Sequence, residues 1–225
     1  MPRNITKDQA AAAIYIDFEG TMNDPPALLG ILIRGSLGDS FRKVALDYSF
    51  QGLPALPEAN DAKLAYCTVE ETIEALVGLA EESNLMFVAW STRELQVVKE
   101  SDLSADLKRR FENRHLNAIT IAKRWRSIFH PKVKFESSRR IRPNALHNYM
   151  QLIDYDIPRA YGPGNAASRI RDVKGQMERR GTFDKLSRVA KGKWTKLLRH
   201  NQHDCSGMRA VVERCADDFQ STSLI

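Results

Sequence analysis

The first fifty residues contain three strand-like segments separated by short turns, and this feature restricts the fold most. The segment AAIYIDFEG is an apolar run that ends in two acids, and ALLGILIRG follows an Asn-Asp-Pro-Pro turn. The segment FRKVALDYSF then alternates between apolar and polar residues, as a strand does. Consecutive strands with short connections usually lie side by side in one sheet. The chain is therefore predicted to begin with an antiparallel meander of three strands.

The rest of the chain predicts one further strand and several helices. The segment TVEETIEALVGLAEES has an apolar stripe at helical spacing, and Thr68 and Glu71 form a capping box at its start. The continuous apolar run NLMFVAW is typical of a buried strand. Helical patterns follow from Ser91 to Phe111, over 117–128 and 143–153, and over 183–219 as two helices or one bent helix. This order predicts one α/β domain over residues 1–225, with a mixed sheet flanked by helices.

Charge is distributed unevenly along the chain. Residues 1–104 carry 8 Lys and Arg against 16 Asp and Glu, whereas residues 105–225 carry 26 against 12. The basic second part is suited to binding a polyanion such as DNA or RNA, although it is also consistent with a solvated surface that balances the acidic part. The longest apolar run near the start, Ala10–Ile16, is far below the ~20 residues that span a membrane. We therefore expect a cytoplasmic protein without membrane contact.

Two acids at the end of the first strand are the strongest chemical signal. Side chains alternate along a strand, so Asp17 and Glu19 point to the same face of the sheet. Two carboxylates on one face repel each other unless a cation lies between them, and divalent metal ions with oxygen ligands commonly fill that role. The alternative is a pair of solvated acids at the edge of a strand.

The strings around these acids are similar to motifs of two enzyme families. DFEGT is one methylene away from the DxDGT nucleophile loop of haloacid-dehalogenase-like phosphatases, with FVAWST in the place of their second motif. IDFEG also resembles the first motif, DxE, of the DEDD exonucleases of the ribonuclease H-like superfamily. Two strands follow the acids directly, as in the opening meander of the ribonuclease H-like fold, whereas the phosphatases usually continue into a helix or a cap insertion.

The C-terminal region favours the exonuclease resemblance. LLRHNQHDCSGMRAVVERCADDF is similar to the last motif of the DEDD group, closest to the RecB-associated ribonuclease H-like nucleases, where a string Y-N-x-x-D-C precedes a helix. This chain has His200 in the place of the Tyr. On a helix, His200 and Asp204 would lie one turn apart on the same face. A histidine has an ordinary pKa near 6.5 and is a suitable general base.

The resemblance implies a nuclease that uses two Mg²⁺ or Mn²⁺ ions, most closely a 3′–5′ exonuclease that hydrolyses DNA or RNA. The implied metal ligands are Asp17, Glu19, Glu94 and Asp204, with His200 as the base. DEDD enzymes place an Asp on the helix after the fourth strand, where this chain has no Asp until Asp102; Glu94 is implied because some RecB-associated sequences carry a Glu near this point. Ser91 and Glu94 also fit a capping box, which would explain Glu94 without catalysis. Two alternatives remain: an impaired nucleic-acid-binding module of a larger protein assembly, and a phosphatase with Asp17 as nucleophile.

Basic residues in the second part of the chain are the expected nucleic-acid contacts. They precede a predicted helix, follow the Gly-Pro-Gly segment at 162–164, or lie on one face of the predicted C-terminal helix. The residues in question are Arg139, Arg140, Arg142, Arg169, Arg171, Lys174, Lys196 and Arg199.

Overall fold

The computed structural model contains six strands and eight α-helices among the residues that it describes, which are 5–21, 24–35, 38–56, 63–135, 137, 142–159 and 165–222. The strands are β1 (Ile14–Glu19), β2 (Leu28–Gly35), β3 (Gly38–Ala45), β4 (Ala65–Tyr66), β5 (Phe87–Ala89) and β6 (His115–Asn117). The helices are α1 (Lys7–Ala12), α2 (Val69–Glu82), α3 (Arg93–Glu100), α4 (Ala105–Arg114), α5 (Ala118–Phe129), α6 (Leu146–Leu152), α7 (Ala166–Arg180) and α8 (Arg188–Thr222).

The strands form one mixed sheet in the order β4-β3-β2-β1-β5-β6. β1 pairs with β2 and β2 with β3 in antiparallel fashion, which confirms the predicted meander. β5 is parallel to β1, and β6 is parallel to β5. The chain is thus an α/β fold whose central strand, β1, carries Asp17 and Glu19.

Helices cover both faces of the sheet because β1 and β2 carry apolar side chains on both faces. On one face, Ile14, Ile16 and Phe18 pack with apolar residues of α2, α3 and α4. On the other face, Tyr15 packs with residues of α5 and with the C-terminal half of α8. Since alternation places Asp17 and Glu19 on the Tyr15 face, the two acids lie on the side that α8 covers.

The long helix α8 passes across this face and contacts β1 and β2. It has 35 residues and spans about 52 Å at 1.5 Å per residue. Its N-terminal part packs with α7 around Trp194 and Leu197, and its C-terminal part packs around Met208 and Val212. The middle of the helix, between these two apolar parts, lies opposite the acids of β1. None of the helices that the structure describes has an apolar stretch long enough to cross a bilayer.

Several elements differ from the sequence prediction. The region 183–219 forms one helix from Arg188 onward, preceded by a short 3-10 turn. Gly192 does not end α8, since a single helical glycine costs only about 1 kcal/mol and apolar packing lies on either side of it. The helical pattern from Ser91 is divided into α3 and α4, and the third strand starts earlier than predicted, at Gly38. The sequence reading did not identify α1, β4, β6 or α7 as separate elements.

Candidate metal centre

The C-terminal end of β1 presents the first two acids to α8. Asp17 is partly exposed and Glu19 is 9% exposed, while Phe18 between them is buried on the opposite face. The backbone carbonyl of Glu19 accepts a hydrogen bond of 2.7 Å from the Ala27 amide, which holds the end of the strand against the start of β2. The predicted placement of both carboxylates on one face is confirmed.

The middle of α8 supplies His200 and Asp204. The two residues are one helical turn apart, and His200 Nε2 lies 3.4 Å from Asp204 Oδ2. One ligand atom from each of Glu19, His200 and Asp204 lies within 4.8 Å of the other two. The structure therefore brings residues from opposite ends of the chain to a single point. His203 contacts the same carboxylate: its Nδ1 is 4.0 Å from Asp204 Oδ1. Its Nε2 is 2.8 Å from the Asp156 carbonyl oxygen, and its ring packs edge-on against Tyr155.

Glu94 approaches the same centre from the first turn of α3. It is only 4% exposed, and its charge raises the pKa values of both Asp17 and Glu19. The N-cap of α3 is Thr92, whose side chain makes no capping bond, so the predicted capping box is not complete. Ser91 still acts at the start of the helix, because its Oγ accepts a hydrogen bond of 3.1 Å from the Arg93 amide and its backbone bonds to the Glu94 side chain. The Ser91 hydroxyl also donates a hydrogen bond of 3.1 Å to Glu94 Oε2. Glu94 is therefore a buried carboxylate held beside the other acids.

Burial and crowding of the acids raise their pKa values. Burial raises the pKa of Asp17 well above its ordinary value, and the neighbouring charges of Glu19, Asp204 and Glu94 raise it further. Burial followed by the charge of Asp204 raises the pKa of Glu19 to about 8. Burial also raises the pKa of Glu94. Burial is the largest cause of all three shifts, and neighbouring negative charge adds to it for Asp17 and Glu19, so a bound cation would stabilise the ionised forms.

Two arginines partly offset this negative charge. Arg169 of α7 is 7% exposed, and its charge opposes the rise in the pKa of Glu19. Arg93 opposes that rise more weakly and donates a hydrogen bond of 3.1 Å to the Thr21 carbonyl oxygen. Arg93 also lines a cavity of about 710 Å³ between α3, the start of α2 and the Asp24-Pro25-Pro26 turn.

The other predicted nucleic-acid contacts are distributed differently from expectation. Arg169 is not a surface residue, because it is buried near Glu19. Lys174 forms an ion pair of 2.6 Å with Asp47 and is only partly available to a ligand. The remaining described ones, which are Arg142, Arg171, Lys196 and Arg199, are exposed, and Arg139 and Arg140 lie outside the described residues.

Asn201 stands at the Asn position of the string Y-N-x-x-D-C, but no role was predicted for it. Its Nδ2 donates hydrogen bonds to the backbone carbonyl oxygen of Asp17, at 3.0 Å, and to Asp17 Oδ2, at 2.8 Å. Its other amide atom lies against Gly30, where a side chain would collide with it. A glycine within the apolar strand LLGILI was the available signal, because an interior glycine often marks the close approach of another group.

The donor set fits a hard divalent cation. Four carboxylates supply oxygen ligands, which suit Mg²⁺ and Mn²⁺. Glu19 and Asp204 each offer an oxygen atom within 4.8 Å of the other and of a His200 ring nitrogen. Comparison of the chain with family models, with curated proteins and with solved structures gave no match.

Proposed function

We propose that this protein is a divalent-metal-dependent nuclease of the ribonuclease H-like kind, most closely a 3′–5′ exonuclease acting on DNA or RNA. The observation that carries the proposal is the convergence of Asp17, Glu19, Glu94 and Asp204 with His200, from β1, α3 and α8. Several acids packed together oppose folding, so the convergence of two buried acids, Glu19 and Glu94, with the half-buried Asp17 and Asp204 is best explained by a cationic ligand.

The order of the strands supports the ribonuclease H-like part of the proposal. The resemblance implies an opening meander, and β1, β2 and β3 form one, with β1 at the centre of the sheet. A haloacid-dehalogenase-like phosphatase is less well supported, because β1 leads directly into an antiparallel partner. In addition, the Asp17 carboxylate that would act as nucleophile is hydrogen-bonded to Asn201 and surrounded by three other acids.

The residues of the centre divide into two roles. Asp17, Glu19, Glu94 and Asp204 would hold the metal ions, and His200 would accept or position a proton of the attacking water. When bound, the ions activate that water and stabilise the charge that develops on the phosphate. A buried cation, Arg169, limits the repulsion between the acids before metal binding.

A basic surface on α7 and α8 gives the nucleic acid a path to the centre. Arg171, Arg179 and Lys193 line a groove between the two helices, where Lys193 pairs with Asp172. Lys196 is exposed and lies one turn before His200, about 6 Å away along the helix axis. Phosphates bound along this surface would lead the strand toward the carboxylates, since each neutralised phosphate releases counterions.

The proposal is tested with a 5′-labelled single-stranded oligonucleotide incubated with Mn²⁺ or with a chelator. We expect progressive shortening from the 3′ end that requires the metal and disappears in Asp17→Asn and Asp204→Asn. Substitution of the exposed Asp184 by Asn is the matched control and should leave cleavage unchanged. Salt-sensitive binding without cleavage would refute the nuclease and support the binding module, and a trapped aspartyl-phosphate on Asp17 would support the phosphatase.

A further inference from the structure

The Asn201 side chain occupies a completely enclosed position between the sheet and α8. It is 1% exposed and lies on the helix between His200 and Asp204. Both of its hydrogen bonds run from Nδ2 to oxygen atoms of Asp17, one in the backbone and one in the carboxylate. Because both partners are acceptors, the amide nitrogen must face Asp17 and the amide oxygen must face away from it.

Gly30 makes room for this arrangement. In the antiparallel pair of β1 and β2, Gly30 lies directly opposite Asp17, so a side chain at position 30 would point to the same face as the Asp17 carboxylate. A Cβ atom there would overlap Asn201 Oδ1 and lie 2.7 Å from Cγ. The amide therefore fills the place of a side chain on β2, and its orientation is fixed by contact with the strand as well as by hydrogen bonds.

We propose that Asn201 and Gly30 act as one positioning unit that holds the Asp17 carboxylate in the orientation needed for metal binding. The inference rests on the proposed function. Asp17 faces three other carboxylates, and repulsion would turn its side chain away if nothing held it. Two hydrogen bonds from one rigid amide tie the carboxylate to its own backbone and to α8, which also carries His200 and Asp204. Partners of this kind, which orient a metal ligand without touching the metal, typically change metal affinity by about 10- to 100-fold when removed.

The test measures Mn²⁺ affinity by isothermal titration calorimetry, with urea denaturation as a separate measure of folding. We expect Asn201→Ala to weaken Mn²⁺ binding about 10- to 100-fold. Gly30→Ala should weaken it by a similar factor, because the new methyl group displaces the amide from Asp17. The double variant Gly30→Ala/Asn201→Ala should be no worse than Asn201→Ala alone, since truncation of the amide leaves space for the methyl group. This double variant also keeps the test valid if Gly30→Ala does not fold.

A purely structural role gives a different pattern. In that case the substitutions would lower the free energy of unfolding while the folded fraction binds Mn²⁺ with the wild-type affinity, and the inference would be overturned without harm to the proposed nuclease. Conversely, a wild-type protein whose Mn²⁺ binding depends on Asn201 but which releases no nucleotide would keep the inference and refute the nuclease. A wild-type protein that binds no Mn²⁺ would contradict both.

Discussion

Replacing Glu19 by Gln should stabilise the metal-free protein at neutral pH. The pKa of Glu19 is raised from 4.5 to about 8 by burial and by the charge of Asp204. Because the pKa of Glu19 is higher in the folded state, the contribution of Glu19 to the free energy of unfolding is fully present below pH 4.5. This contribution decreases as the pH rises above 4.5 and is lost once the pH passes about 8. At pH 7 the unfolded chain has Glu19 ionised while the folded chain still holds its proton. At about 1.36 kcal/mol for each pH unit above 4.5, Glu19 lowers the free energy of unfolding at pH 7 by about 3 kcal/mol.

The assay is urea denaturation of both proteins in a chelator between pH 4 and pH 8. Glu19→Gln should be about 3 kcal/mol more stable than the wild type at pH 7 and equal to it near pH 4, because Gln does not titrate. Glu74, exposed on α2, provides the control, and Glu74→Gln should follow the wild-type curve. Millimolar Mn²⁺ should stabilise the wild type more than the variant, since ligands stabilise the state that binds them. If the two proteins are equally stable, or if their difference in stability does not change with pH, then the pKa of Glu19 is not raised in the folded protein.

Three further outcomes follow from the site and the surface around it. His200→Ala should lower turnover by about 10²- to 10⁴-fold, the range for a positioned proton acceptor. His203→Ala removes contacts with the Asp156 carbonyl oxygen and with Asp204 and should lower turnover less; a larger loss in this second variant would move the base away from His200. Lys196→Glu should reduce the slope of log affinity against log salt for single-stranded DNA by about 0.7, and an unchanged slope in anisotropy titrations would exclude a phosphate contact there. Arg169→Gln should lower the free energy of unfolding at pH 7 without Mn²⁺, because it removes a buried positive charge beside the acids. If urea denaturation shows the stability of the wild type, Arg169 does not offset the charge of the acids.

The local parts of the centre could be predicted from the sequence because they depend on regular periodicity. Alternation along β1 was sufficient to place Asp17 and Glu19 together, and the helical repeat was sufficient to place His200 beside Asp204. The convergence of these two pairs was predicted only through the resemblance to the DEDD motifs. Nothing in either segment specifies where α8 crosses the sheet, because that position is set by side-chain packing over its entire length.

The parts that could not be predicted depend on contacts between distant segments. Arg169 looks like any other basic residue in a charged helix, and its burial follows from the packing of α7 against α8. Glu94 fits a capping pattern with Ser91, but the helix starts one residue later and leaves its carboxylate beside the other acids. The strand β6 has three residues, too few for a pattern of period two to be recognised.

The most direct test of the proposed metal centre is an anomalous diffraction measurement on crystals of the protein soaked in Mn²⁺. We expect two manganese peaks about 4 Å apart, with the Asp17 carboxylate in contact with both and Glu19, Glu94 and Asp204 around them. The same soak of Asp17→Asn crystals should lose at least one of the peaks. A map without anomalous density between β1 and α8, in crystals that diffract well enough to place the carboxylates, would contradict the account.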